Sequence, residues 1–450
     1  MKFMRKHLPI IIVLAVSIAT HFAYFGYPRE TVFDEVHFGK FVSGYYTHEY
    51  FFDIHPPLGK LIISAAGFTA GFKPGFSFAQ IGEKFQDNTY LALRFLPSLA
   101  GTLLPVVIFL LLLELGISRI GATAGGLLVA LESALLVQSR FILLDSFLLL
   151  FGFAALWLYM RYRHTGTVYN LLCAVALAGL SVSVKWTGLT FLAVIGIAEF
   201  IKLIRERSIG QLANVAVIAV IPFVLYFSIF ALHFSLLGKS GPGDAFMTPQ
   251  FRKTLVGSTD YADPTIKPEG LLMKFIELNE QMYLSNARLT ATHPYSSKWY
   301  EWPFMTRPIY YWNEHVGSDS DARIYLIGNP AIWWIGTFAV FYALCSLKFW
   351  SNRKILLILG FYAFNILPFI GISRTMFMYH YFTALIIAII LTAYLIDQLP
   401  ASDHFVTKKR VFGTLLGASL ILFVFFSPLI YGLPMSARSY DLRTWFGSWR

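Results

Sequence analysis

Long apolar runs, separated by short polar connections, dominate this chain. A helix that crosses a bilayer needs about 20 mostly apolar residues. About eleven runs meet that need, at roughly 8–27, 92–114, 119–136, 140–160, 168–184, 186–204, 212–236, 328–347, 354–371, 377–397 and 411–430. Almost nothing separates the runs on either side of 137–139 and of 184–186, which read as tight helical hairpins or as single longer spans. The first run starts basic but lacks a small-residue cleavage site, so it is expected to stay as a helix. Two polar intervals are long, at roughly 28–91 and 237–327. The expected organisation is an N-terminal transmembrane module over 1–236 that includes the first interval, the second interval over 237–327, and a C-terminal four-helix transmembrane module over 328–450.

Composition places the chain in lipid. Of 450 residues, 56% are hydrophobic and 14% are charged, against about 25% charged in soluble domains. The formal charge of +11 is explained by basic cytoplasmic connections. With the N-terminus inside, those connections hold Lys2, Arg5, Lys6, Arg119, Arg161, Arg163, Lys202, Arg205, Arg207, Lys348, Arg353, Lys354, Lys408, Lys409 and Arg410. Both long intervals then lie outside. No basic patch with interleaved aromatics stands clear of the apolar runs, which argues against nucleic acid. Cys173 and Cys345 both fall inside apolar runs and suggest neither a disulfide framework nor a metal site.

Four cations break the orientation rule: Arg94, Arg140, Lys185 and Arg374 fall at outer span ends or in short outer turns. Each alone could snorkel to headgroups. Together, from four spans, they could converge on one anionic group at membrane depth, such as a lipid-linked phosphate.

The first outer interval opens with adjacent acids, Asp34 and Glu35. Neighbours on a helix point about 100° apart, so the pair would divide its work or sit as a solvated turn. Divided, one acid could reach a reaction centre while the other orients backbone, an arginine or an acceptor. Asp53 and His55 follow, before Pro56-Pro57 and a short apolar run from Leu58 to Phe68 that suits an interfacial or re-entrant helix. A lone His beside Pro-Pro is ordinarily structural. In the second interval, Leu271 to about Thr290 has helical periodicity. The aromatic stretch Thr292 to Pro303 suggests an interfacial belt or a sugar- and lipid-facing surface. This interval reads as a lid, not as a folded module. Gly238 to Gly243 lacks phosphate-loop spacing, and no internal repeat is apparent.

Several stretches together resemble the protein O-mannosyltransferase family. They are Phe33-Asp-Glu-Val-His-Phe-Gly-Lys40, Phe51-Phe-Asp-Ile-His-Pro-Pro-Leu-Gly-Lys60, the Arg94 region, Ser139-Arg-Phe-Ile-Leu-Leu-Asp-Ser146, Ser183-Val-Lys-Trp-Thr-Gly188, His293-Pro-Tyr295, Gly328-Asn-Pro-Ala-Ile-Trp-Trp334, and Arg374 onward. They occur in the family's order and cover nearly the whole chain. The resemblance implies an all-α polytopic membrane protein of the glycosyltransferase C type. Its active site would face the extracytoplasmic side. Eukaryotic members carry a β-trefoil MIR domain in the second long outer loop, and this sequence has none there. That departure points to a bacterial-type enzyme of the plasma membrane.

The activity implied is inverting transfer of mannose from polyprenyl-phosphate mannose to Ser or Thr hydroxyls of secreted or membrane proteins. Asp34 would be the base. Glu35 would support the acceptor or the geometry. Arg94 leads the candidates for a phosphate or carboxylate partner, before Lys185, Arg140 and Arg374. Asp145, orienting Arg140 or ending a helix, would support the site, as would Asp53, His55 and His293. No metal or other cofactor is expected, and a dimer is possible. Competing readings are a related transferase with a lipid or glycan acceptor, a flippase for lipid-linked sugars, and a membrane scaffold.

Overall fold

The computed structural model describes residues 2–289, 291–372, 374–400 and 406–450, with side chains from His7 onward. The side chains of Lys2, Arg5 and Lys6, and Thr290 at the expected end of the surface helix, lie outside the described residues.

The apolar runs become helices. The first half of the chain holds α1 (Lys2–Phe22), α2 (Glu35–Thr47), α3 (Leu58–Thr69), α4 (Tyr90–Glu114), α5 (Arg119–Ala130), α6 (Ser133–Ser139), α7 (Asp145–Thr165), α8 (Val168–Val184), α9 (Leu189–Glu206) and α10 (Ile209–Leu236). After them come α11 (Pro249–Arg252), α12 (Leu271–Arg288), α13 (Pro330–Cys345), α14 (Arg353–Phe364), α15 (Phe382–Asp397) and α16 (Lys408–Tyr431). Their ends follow sequence signals. Ser118, Ser208 and Thr407 cap α5, α10 and α16 with side-chain acceptors, which satisfy backbone donors that have no intrahelical partner. Gly166 and Gly432 end α7 and α16 at φ 70° and 72°, where a side chain would be strained.

Among the described residues, six helices are long and apolar enough to cross a membrane, or seven if the bent pair α5–α6 is one span. The protein is therefore an integral membrane protein of mainly helical fold. Length and composition do not establish the expected eleven spans, because α8 and α13 are shorter apolar helices. The helix α3 is likewise short and apolar, as its 11-residue run implied.

Two boundaries differ from expectation. The chain does not turn back at 137–139. It breaks after Ala130 and bends by 57° into α6. The buried Glu132 makes that break stable. Its carboxylate accepts the Leu135 amide at 2.8 Å, capping α6, and the Asn329 amide at 2.8 Å. Asn329 in turn donates to the Leu131 and Ser419 carbonyls, which ties both halves of the chain together. The second difference is that Asp145 begins a helix, α7, where it was expected to end one or hold Arg140.

The second polar interval is not purely helical. Strands β1 (Ile309–Val316) and β2 (Ser320–Leu326) form an antiparallel hairpin, from Ile309 opposite Leu326 to Val316 opposite Ser320. A third strand, β3 (Met435–Ser436), joins its edge. The pairing register shifts between Tyr310 and Trp312. A bulge of this kind re-aims side chains, and Tyr311 and Trp312 are both buried as a result. The lid expected here therefore contains a small sheet that its aromatic-rich sequence did not announce.

Candidate active site

Asp34 and Glu35 have opposite environments. Phe33, just before them, takes a left-handed backbone at φ 48°. Two contacts hold it there: its amide donates to the Tyr311 carbonyl at 3.2 Å, and its ring stacks on Tyr311 at 4.0 Å. The chain then enters α2 with Glu35 turned inward and fully buried. The Glu35 carboxylate accepts the Val32 amide at 2.8 Å and the Ile142 amide at 2.9 Å. It also receives a two-pronged Arg94 guanidinium at 2.7 and 2.6 Å, the geometry in which arginine binds carboxylates most strongly.

Arg94 has nothing left to offer a ligand. Its remaining N–H groups donate to the Gly26, Pro28 and Glu30 carbonyls at 2.6–2.9 Å. All five donors are used, the side chain is fully buried, and Phe85, Tyr90 and Phe141 surround it. The expectation that Arg94 binds a donor phosphate is corrected: it fixes Glu35 and the turn after α1. Glu35 correspondingly supports geometry and does not face an acceptor.

Arg140 is also withdrawn. It donates to the carbonyls of Tyr24, Tyr27 and Ile430 at 2.8–3.2 Å and lies 4.8 Å over the Tyr431 ring. Two of these carbonyls follow the C-terminal end of α1 and one closes α16. The Ile430 carbonyl lies in the last turn of α16, where the helix end carries partial negative charge and suits a guanidinium. The structure does not bring Arg140 to a site shared with Lys185 and Arg374.

Those two cations do share one. Lys185 sits in an extended break after α8 and pairs with Asp145 at 2.8 Å. The other Asp145 oxygen accepts the Gln138 amide at 2.6 Å, and the Gln138 carbonyl accepts the Tyr311 hydroxyl. Lys185 also lies 5.3 Å over the Tyr379 ring. Asp53 is paired with Lys60, which donates further to the His55 and Pro56 carbonyls.

Asp34 faces this cluster and has no hydrogen-bond partner for its carboxylate among the described residues. The residue is half-buried. Burial pushes its pKa up to about 7. Lys185 opposes that shift, and the negative charges of Asp145 and Asp53 add to it. His55 is held well below the ordinary histidine range by burial first, and then by Lys185, Lys60, Arg374 and His380. It is neutral near pH 7. The Arg374 guanidinium is half-buried, makes no hydrogen bond to the described residues, and is pushed down by burial. His293 is half-buried, accepting the Tyr295 amide at 3.2 Å and packing on Phe377 at 5.1 Å.

Gln138, Tyr311, Tyr379 and Lys60 were not foreseen as members of this cluster. Gln138 carried a signal, since an amide inside an apolar run demands a partner. Tyr311 carried none, because the β-bulge that aims it is a property of strand pairing. Among the described residues, no three His, Cys, Asp or Glu side chains gather as metal ligands. The arrangement provides one open carboxylate that titrates near neutrality, beside cations able to stabilise an anion.

The chain matches the profile of the dolichyl-phosphate-mannose-protein mannosyltransferase family over residues 11–238. It matches the C-terminal four-transmembrane region of protein O-mannosyltransferase over 271–449. Dolichyl-phosphate-mannose–protein mannosyltransferase 4 of Saccharomyces cerevisiae is 35% identical over 272 residues, which cover 55% of this chain and 35% of that one. Protein O-mannosyltransferase 1 of Drosophila melanogaster is 35% identical over 266 residues, or 54% of this chain and 29% of that one. The match thus spans only about a third of either relative. Among solved structures, the S. cerevisiae Pmt1–Pmt2 complex bound to the sugar donor superposes with a TM-score of 0.88 at 20% identity, covering 99% of this chain and 93% of that one. ArnT from Cupriavidus metallidurans bound to undecaprenyl phosphate superposes at 0.56 and 14% identity, covering 94% and 76%. At these identities the likeness is one of fold, and that fold is of the glycosyltransferase C type.

Proposed function

The chain belongs to the dolichyl-phosphate-mannose–protein mannosyltransferase family, and from that premise we propose that it transfers mannose from a polyprenyl-phosphate mannose to Ser or Thr hydroxyls of proteins. The observation that carries this reading is the Asp34 carboxylate: without a hydrogen bond among the described residues, raised to about 7, and facing Lys185. A hydroxyl is a weak nucleophile and benefits from a base near neutral pKa. In the step proposed, the hydroxyl proton passes to Asp34 and the oxygen bonds to the anomeric carbon. The bond from that carbon to the phosphate oxygen breaks, with inversion. The electron pair leaves with the phosphate, whose charge Lys185 and Arg374 stabilise. His55, neutral and beside both cations, and the Asp53–Lys60 pair border the space the sugar would take.

The donor phosphate is thereby assigned to two cations of the original four. No metal enters the step. The enzyme is read as lying in a bacterial plasma membrane, N-terminus inside and site outside. The two-chain yeast neighbour makes a dimer the assembly to look for.

The test is a transfer assay with purified protein, radiolabelled polyprenyl-phosphate mannose and a Ser/Thr-rich peptide, run with and without chelator. Label should enter the peptide in both. Asp34→Asn, folded to the same melting temperature, should lose about 10²–10⁴-fold in rate. Label that enters a lipid or glycan, or that crosses the vesicle wall untransferred, would sink the proposed acceptor or the transferase reading. Activity lost in chelator and restored by Mn²⁺ would overturn the metal-free step.

A further inference from the structure

The helix α12 is inside-out by the standards of a water-exposed helix. Two of its four charged residues, Lys274 and Glu277, are turned into the protein and buried. The Lys274 ammonium lies 4.9 and 4.7 Å from the centroids of the Phe234 and Phe251 rings. Glu277 accepts the Thr248 amide and hydroxyl at 2.6 and 2.8 Å. Its outward positions include a large apolar group: Leu272, Ile276 and Tyr283 are 58%, 45% and 63% exposed. At about 100° per residue, these three fall within a wedge of about 40°. That wedge adjoins Phe275 and Asn279, the residues that meet α10. Glu280, also exposed, lies about 40° beyond its edge.

The contacts with α10 fix the depth. Asn279 accepts the Tyr226 hydroxyl at 2.6 Å, and Phe275 packs on the rings of Tyr226, Phe227 and Phe230 at 5.1–5.8 Å. Tyr226 lies ten positions before Leu236, the last residue of α10, about 15 Å along the axis. With 28 residues, α10 is about 42 Å long against about 30 Å of hydrocarbon. Even with the whole excess of about 12 Å outside on this side, Tyr226 stays within the hydrocarbon. Directly beneath the contact, Phe223 stacks on Phe227 and is 59% exposed. The outward wedge of α12 therefore continues the lipid-facing surface of a spanning helix.

We propose that α12 is seated in the leaflet on the side of the candidate site, with Leu272, Ile276 and Tyr283 covered by acyl chains and Glu280 at the headgroups. An isolated apolar wedge of this size in water would be an exposed patch, whereas at this depth lipid is its solvent. The opposite face gives the seat a consequence. Leu278 and Met282 line a small cleft with Asp53, His55 and Lys60, and Asn286 donates to the Ile54 carbonyl at 3.2 Å. One helix thus separates the leaflet from that cleft.

The test uses the full chain in phosphatidylcholine vesicles, with Cys173 and Cys345, both unpaired, replaced by Ala. A nitroxide is attached at Ile276→Cys or at Glu280→Cys, and its collisions with oxygen and with a water-soluble nickel chelate are compared. The ratio of oxygen to nickel collisions should exceed one at 276 and fall below one at 280. Leu272→Cys should read like 276 and replaces it should that variant fail to fold. Nickel-dominated collisions at both 272 and 276 would put the wedge in water. Immobilised spectra shielded from both reagents would mean that protein covers it. Either result overturns the seat in lipid.

Discussion

The surroundings of Glu35 and of Asp34 make the instructive comparison, because they begin one residue apart. Around Glu35 every polar group is answered: Arg94 uses all five donors on one carboxylate and three carbonyls, and two backbone amides complete the carboxylate. Around Asp34 the groups are charged but incompletely answered. Lys185 has one carboxylate partner, and Arg374 and Asp34 make no hydrogen bond among the described residues. Both regions hold acids and cations near the membrane boundary. What separates them is the count of satisfied donors and acceptors, since a saturated guanidinium is a structural pin and an unsaturated one can still bind. A buried charge is thus no indication of a binding role until its partners are counted.

The sharpest way to break the comparison is to remove one cation from each side. Arg94→Met leaves the Glu35 carboxylate buried without its partner, so the folded state should lose about 3–5 kcal/mol. Arg374→Gln breaks no hydrogen bond among the described residues and should change stability by no more than about 0.5 kcal/mol, while kcat/KM falls through weaker donor binding. Thermal melting in detergent beside steady-state kinetics reads both. An Arg94→Met protein that melts like the parent and differs only in donor KM would mean that Arg94 binds phosphate after all.

The second test is pH. A base works only when ionised, so its active fraction falls about tenfold for each pH unit below its pKa. With Asp34 raised to about 7 by burial, kcat/KM should fall with decreasing pH through about 7 and level off above it. The acid limb of the rate profile, measured with a peptide acceptor, checks this. A limb near pH 4, where an unperturbed carboxyl titrates, would place the base outside this cluster or show that Asp34 is solvated as it works.

The same contrast explains what could be read in advance. Apolar run length is a one-dimensional signal, so the helices and the two long polar intervals were legible. The four cations were also legible as charges out of place near a membrane, and the role of Asp34 as base came from the family resemblance. Which of the four cations would be turned onto backbone carbonyls was not legible. Arg94 is consumed by carbonyls of Gly26, Pro28 and Glu30, more than sixty positions away. Arg140 is drawn onto those of Tyr24, Tyr27 and Ile430, with its buried Nε left unpaired among the described residues. Backbone acceptors leave no trace in composition. The β-hairpin was hidden for a related reason: its aromatic residues look the same in an interfacial belt as in a strand, and strand pairing is decided between segments.

Tyr311 belongs to both regions, and its loss should cost less stability than that of Arg94. Its carbonyl and ring hold Phe33 in its left-handed turn, while its hydroxyl donates to Gln138, the amide that supports Asp145 beside Lys185. Tyr311→Phe keeps the ring and the backbone and removes only the hydroxyl. The buried Gln138 carbonyl then lacks a donor, which costs about 1–3 kcal/mol. Because Phe33 still stacks, Asp34 stays in place and the acid limb should keep its midpoint. Lys185 and Asp145 lose support, so kcat should fall modestly. Tyr311→Leu also removes the stack and should move the limb as well, since the turn that exposes Asp34 loosens. If the two variants shift the limb equally, the hydroxyl network and not the stack positions the carboxylate, and the division between the two regions lies further from Phe33 than the hydrogen bonds place it.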